Sequence, residues 1–129
     1  MRTNRRILLT CLAATAGSAA AVGRLRCPGA ARAEPVSIAL LRSLMDDPDS
    51  AGVIGTRYRQ LFPIEDHPRV LAAAIVAALG IADGEPVDRE QLRSCVGARV
   101  RAEFAAGDSV RVAGWVLART EARLWALCA

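Results

Sequence analysis

The sequence predicts a mainly α protein: a small helical bundle of four to five helices, with a short β-hairpin as a candidate near the C-terminus. Three observations carry that prediction. Apolar residues recur at three- and four-residue spacing through most of the chain after residue 36. Glycine, proline and aspartate cut this pattern into segments of helical length. Only around Val110 does the period shorten to two, as a strand requires.

The first 33 residues stand apart and have the three parts of an export signal. A basic start through Arg6 precedes an uncharged, mostly apolar run over 7–23, and Ala31-Arg32-Ala33 supplies an A-x-A site with cleavage expected before Glu34. That run is short for a spanning helix, which needs about 20 strongly apolar residues. Asn4-Arg5-Arg6-Ile7-Leu8-Leu9 resembles the twin-arginine signal: a polar residue, the pair Arg5 and Arg6, any residue, then the apolar Leu8 and Leu9. The alternative is a general secretory signal whose basic residues happen to be arginines. Cys11 and Cys27 lack a lipobox context and are expected to leave with the signal. The expected division is therefore a signal over 1–33 and one small helical domain over 34–129.

The first helix of that domain is expected over 37–45, with Ile38, Leu41 and Met45 on one face, and ends at Asp46-Asp-Pro-Asp49. Asp49 or Ser50 then caps a second helix to residue 62, with Ile54, Tyr58 and Leu61 inward and Arg57 and Arg59 outward; Pro63 ends it. Asp66 reads as the cap of a third helix over 69–79, with Pro68 in its first turn. This helix is almost wholly apolar and closes at Gly80, so it is expected to lie centrally or against a partner. Asp88 with Gln91 marks a capping box for a fourth helix to residue 106, with Leu92, Val96, Val100 and Phe104 inward. Val110-Arg-Val112 and Trp115-Val-Leu117, joined by Ala113-Gly114, make the candidate hairpin. Thr120 is expected to cap the last helix, whose apolar stripe is Leu124, Leu127 and Cys128.

Charge removes one class of function. All 13 acidic residues lie at or after Glu34, whereas six of the 17 basic ones precede it. Eleven arginines against thirteen acids leave the domain at about −2, so the basic pI of the whole chain gives no reason to expect nucleic-acid binding. No later segment is long enough to span a membrane.

Candidate chemistry is sparse. Cys95 and Cys128 are the domain's two cysteines, each near the apolar face of its helix, and are a candidate disulfide; the alternative is two buried free thiols. His67 is the only histidine, in a turn where polar side chains cap helices, and lacks a partner at zinc spacing. Asp46, Asp47 and Asp49 lack the glycine and glutamate of a calcium loop and read as a helix-end turn. No nucleophile elbow, phosphate loop, haem attachment or dinucleotide fingerprint is present, so no catalytic residue, metal or cofactor is assigned. The stretch carrying Trp115, Arg119, Arg123 and Trp125 is a candidate docking surface, since tryptophan and arginine anchor interfaces; plain core is the alternative.

A small chain with a twin-arginine signal, a helical mature part and no cofactor motif resembles the small accessory subunits of periplasmic flavin-dependent sugar and alcohol dehydrogenases. The resemblance covers signal, size and helical character, and no functional residue is carried over from it. It implies a non-catalytic escort, exported to the periplasm or beyond through the translocase that reads its signal. Its partner would be a larger, cofactor-bearing subunit. Two rivals stand beside this reading: a free-standing periplasmic protein of structural or stress-related role, and a small thiol or ligand-binding protein using Cys95 and Cys128.

Overall fold

A computed structural model describes residues 33–129. The signal residues Arg5, Arg6, Leu8 and Leu9, and Ala31 of the cleavage site, lie outside the described residues; Ala33 is the first described residue and is exposed. The described part is mainly helical, with five helices and a two-stranded hairpin near the C-terminus, as the sequence predicts.

The elements run in order as β1 (Glu34–Pro35), α1 (Ile38–Arg42), α2 (Pro48–Leu61), a 3-10 turn (Pro63–Glu65), α3 (Pro68–Leu79) and β2 (Pro86–Val87). They continue as α4 (Arg89–Ala106), β3 (Ser109–Val112), β4 (Trp115–Ala118) and α5 (Arg119–Leu127). Periodicity alone does not reveal β1 and β2. These two-residue strands pair antiparallel, Glu34 with Val87, and tie the start of the domain to the turn before α4.

Caps explain most helix starts. Ser37 Oγ accepts the Leu40 N–H, and Asp47 accepts the Ser50 N–H, so α2 is capped two or three residues earlier than expected, with Pro48 at the first helical position. His67 rather than Asp66 caps α3, its Nδ1 accepting from the Arg69 N–H at 3.2 Å, while Asp66 pairs with Arg59. Asp88 Oδ1 accepts the Gln91 N–H at 2.7 Å. In β3–β4, Val110 faces Leu117 and Val112 faces Trp115. The turn between them places both Ala113 (φ 49°) and Gly114 (φ 86°) in the left-handed region, the signature of a type I′ hairpin turn.

The core forms around the last helix. α5 touches α1, α2, α3, α4 and both hairpin strands, and buries Thr120, Ala122, Leu124, Ala126 and Leu127. Its closest approach is to α2. There Gly55 sits so near that a Cβ on it would lie 2.1 Å from the Trp125 carbonyl oxygen and 2.8 Å from the Ala126 Cα. The absent side chain sets the separation of the two helices, and Ala51 and Ala126 keep the neighbouring surface low. This crossing corrects the expected face of α2. Ala51, Gly55 and Tyr58 point inward, Ile54 is half-buried, and Leu61 is exposed.

The inner face of α4 is corrected as well. Leu92 is buried and Val96 and Val100 are half-buried, but Phe104 is exposed and Glu103 is only 2% accessible. A four-residue spacing drifts by about 40° per step on a helix of 3.6 residues per turn. Residue 103 therefore returns to within about 20° of Leu92, while residue 104 has rotated about 120° away.

Arginines close the open helix ends. Arg42 Nε donates to the Leu127 carbonyl and Arg59 Nη1 to that of Ala129, so α1 and α2 secure the C-terminus of α5. Arg89 donates to the Ser43 carbonyl, and Arg93 reaches those around Leu44 and the Asp46 carboxylate at 3.4 Å.

Candidate functional site

Three places gather the residues considered as candidates, two ionisable clusters and the outer side of α3. The first is a buried carboxylate. Glu103 Oε2 accepts the Thr120 N–H at 2.8 Å, and its Oε1 accepts the Thr120 hydroxyl at 2.6 Å and Arg99 Nε at 2.8 Å. The residue at the cap position of α5 is Ala118, which has no side-chain acceptor. Glu103, seventeen residues upstream, supplies the missing cap from another helix. Thr120 is thus the recipient of a cap rather than the cap. Burial pushes the Glu103 carboxyl up, but the two Thr120 bonds and Arg99 outweigh it and hold it below its ordinary range.

The second place joins α2, the 3-10 turn and α5. Arg123 grips Glu65 with two bonds, Nε to Oε2 at 2.9 Å and Nη2 to Oε1 at 2.7 Å, and the Tyr58 hydroxyl donates to Oε2 at 2.7 Å. The Arg123 bonds hold the Glu65 carboxyl down to about 2. Burial, followed by the bond to Glu65, pushes the Tyr58 phenol up to about 12. Phe62 packs on Tyr58 with ring centroids 4.6 Å apart, and the Arg119 guanidinium lies 5.9 Å from the Phe62 centroid while pairing with Asp108 at 2.9 Å. Every buried side-chain polar atom among the described residues has a partner. Both clusters are therefore structural ties whose donors and acceptors are already used.

Arg119 pairs with Asp108, both partly exposed, and Arg123 pairs with the less exposed Glu65. Trp125 is half-buried against the core, in a cleft of about 300 Å³ that it lines with Leu44, Met45, Arg93, Val96, Val100, Glu121 and Leu124. Trp115, at the hairpin tip, is exposed. Of the four residues, the two arginines pair with carboxylates of the domain, Trp125 is half-buried and Trp115 is exposed.

The two cysteines are free thiols, each half-buried, the arrangement that stood beside the candidate disulfide. Cys128 lies at the end of α5 with its Sγ 3.7 Å from the Leu124 carbonyl, and burial raises its pKa. His67 is engaged as a cap; Asp46 lies in the α1–α2 turn, Asp47 caps α2 and Asp49 lies in its first turn, all three exposed. Among the described residues no three His, Cys, Asp or Glu side chains converge as a metal-holding group, and no helix is long and apolar enough to cross a membrane.

The third place is the outer side of α3. Leu71 and Ile75 enter the core; Val70, Ala73 and Ala77 face outward. An open groove of about 790 Å³ runs along this side. Ala72, Ala73, Val76 and Ala77 of α3 line it together with Pro35, Val36 and residues 81–84, which follow α3. The uniform apolarity of α3 carried this signal in the sequence; what periodicity does not show is that Pro35 and Val36 come to lie beside it.

No protein family, curated protein or solved structure matches this chain.

Proposed function

We propose that the domain is an exported, non-catalytic accessory subunit that binds a larger cofactor-bearing protein through the outer side of α3 and escorts it through export. The observation that carries this reading is the groove on α3. It is an open surface along a helix with almost no polar residue, whereas the ionisable clusters elsewhere are spent on holding the fold. A helix that only completed a core would be selected for a solvated outer face. Small residues along the groove let a partner helix approach its backbone closely. The signal-like N-terminus supplies the escort half of the proposal, since a route that carries folded proteins also carries what is bound to them.

The test is co-purification of the tagged full chain from native cells, with mass spectrometry of the cytoplasmic and periplasmic fractions. A stoichiometric, cofactor-bearing partner without its own signal is the expected result. Recovery of the chain alone from both fractions would overturn the escort role.

A further inference from the structure

The cleft beside Trp125 has a mainly apolar lining and shares no residue with the α3 groove. α4 contributes Arg93, Val96 and Val100 to it, and α5 contributes Glu121, Leu124 and Trp125. The two helices run antiparallel. Glu103, near the end of α4, caps the start of α5, whereas Arg93, near the start of α4, reaches the Leu44 carbonyl just beyond α1. The end of α1 is in turn tied to the end of α5, through Arg42 and the Leu127 carbonyl. Glu121 therefore lies toward the Val100 end of the cleft, and Arg93 lies at the opposite end. Arg93 and Val100 are seven residues apart on α4, about 10 Å along its axis. A cation stands at one end, a carboxylate toward the other, and apolar side chains between them.

Arg93 is held more loosely than the arginines of the two ionisable clusters. Both its bonds come from Nη2, each at 3.4 Å, and one goes to Asp46, whose side chain is 86% exposed. The bonds of Arg99, Arg119 and Arg123 to their carboxylates are all 2.9 Å or shorter. The Nε and Nη1 donors of Arg93 have no partner among the described residues. A guanidinium with donors to spare, beside an apolar cleft, suits a carboxylate, whose two oxygens match its planar fork. Size bounds the rest of the ligand. The cleft holds about 300 Å³, the share of about ten waters in the liquid and so room for on the order of ten non-hydrogen atoms.

We propose that this cleft binds a small apolar monocarboxylate, with its carboxylate on Arg93 and its body along Val96, Val100, Leu124 and Trp125. Glu121 sets the specificity. A second carboxylate at the far end of the ligand would meet that of Glu121 in a half-buried place, where like charges repel strongly.

Octanoate is the probe, and Trp125 is the reporter. Trp115 and Trp125 are the chain's two tryptophans, so the full chain carrying W115F reads the cleft by fluorescence. Octanoate is expected to change the emission saturably, with half-saturation at about 1 mM or below. Octanedioate and octylammonium should each bind at least about ten-fold more weakly, the effect of losing one charged hydrogen bond. No saturable change up to about 10 mM octanoate, or equal binding of octanoate and octylammonium, would overturn the proposal. Both comparisons use the chain with Arg93 and Glu121 intact, so they stand whatever the variants do. R93Q should then weaken octanoate at least about ten-fold, and E121Q should narrow the gap between octanoate and octanedioate. Unchanged octanoate binding by R93Q would overturn the assignment of the carboxylate to Arg93. Partner recovery from native cells reads the α3 groove and not this cleft, so either proposal can fail without the other.

Discussion

Two helices of this domain, α3 and α5, exchange the roles that their compositions suggest. α3 is apolar at almost every position, yet it lies at the edge, burying Leu71 and Ile75 and leaving a groove on its far side. α5 carries Arg119, Glu121 and Arg123, yet every other helix packs on it and five of its nine residues are buried. Centrality here comes from shape and termination rather than from hydrophobic content. Ala122 and Ala126 let neighbours come close, Gly55 opposite admits the backbone, and polar groups from three other elements finish the ends: Glu103 at the start, Arg42 and Arg59 at the finish. α3 has nothing comparable on its outer side.

The sharpest way to break this comparison is at the helix crossing. Gly55→Ala places a methyl group 2.1 Å from the Trp125 carbonyl, and backbone cannot yield as a side chain does. The expected loss is about 3 kcal/mol or more in urea unfolding, at the upper end of overpacking costs. A loss near zero would show that α2 and α5 are not tightly crossed. Next comes the borrowed cap. Glu103→Ala leaves the Thr120 N–H and hydroxyl without acceptors in a buried position and should cost about 2–3 kcal/mol. Glu103→Gln keeps an acceptor and should recover part of that loss in the same unfolding measurement.

A pH titration sharpens the comparison at the other tie of α5. The Glu65 carboxyl is depressed from 4.5 to about 2, so the folded state favours its charged form. Its contribution is fully present above about pH 4.5 and is lost as the pH falls toward 2. Tyr58 runs the opposite way. Its phenol is raised from 10.0 to about 12, the folded state favours the neutral form, and its contribution is present below pH 10 and lost as the pH rises toward 12. Tyr58 is the only tyrosine, so phenolate absorbance reads this one group. The folded protein should titrate well above the urea-unfolded chain, and Glu65→Ala should narrow the gap. Coincident titrations would deny the Tyr58–Glu65–Arg123 tie.

The smallest effects belong to the outer side of α3. Ala77→Ser or Ala73→Ser should change stability by no more than about 0.5 kcal/mol, because these side chains meet no core neighbour. A cost like that of Glu103→Ala would place them in the core after all.

Much of the fold is legible in the sequence because helix ends are written locally. Ser37, Asp47 and Asp88 act within three residues of themselves, and Gly80 and Gly107 close α3 and α4. What is not legible is written across elements. Glu103 looks like a solvated charge on an arginine-rich helix until Thr120 is brought to it. Gly55 looks like a weak helix residue until α5 lies across it. Arg119 and Arg123 look like free anchors until Asp108 and Glu65 claim them. The groove is half legible. The apolarity of α3 is plain in the sequence, but Pro35 and Val36, which also line the groove, come from more than thirty residues upstream, held there by a strand pair too short to leave a period.

The claim that α3's outer side is for docking, and not for folding, is tested most directly by Ala73→Arg in the domain. Arginine is nearly as good a helix former as alanine, and residue 73 is exposed, so the helix itself should tolerate it. The measurement pairs urea unfolding with partner recovery from native cells. The account predicts unfolding within about 0.5 kcal/mol of the parent and loss of a stoichiometric partner that the parent retains. Undiminished partner recovery by the variant, with its fold intact, would contradict it.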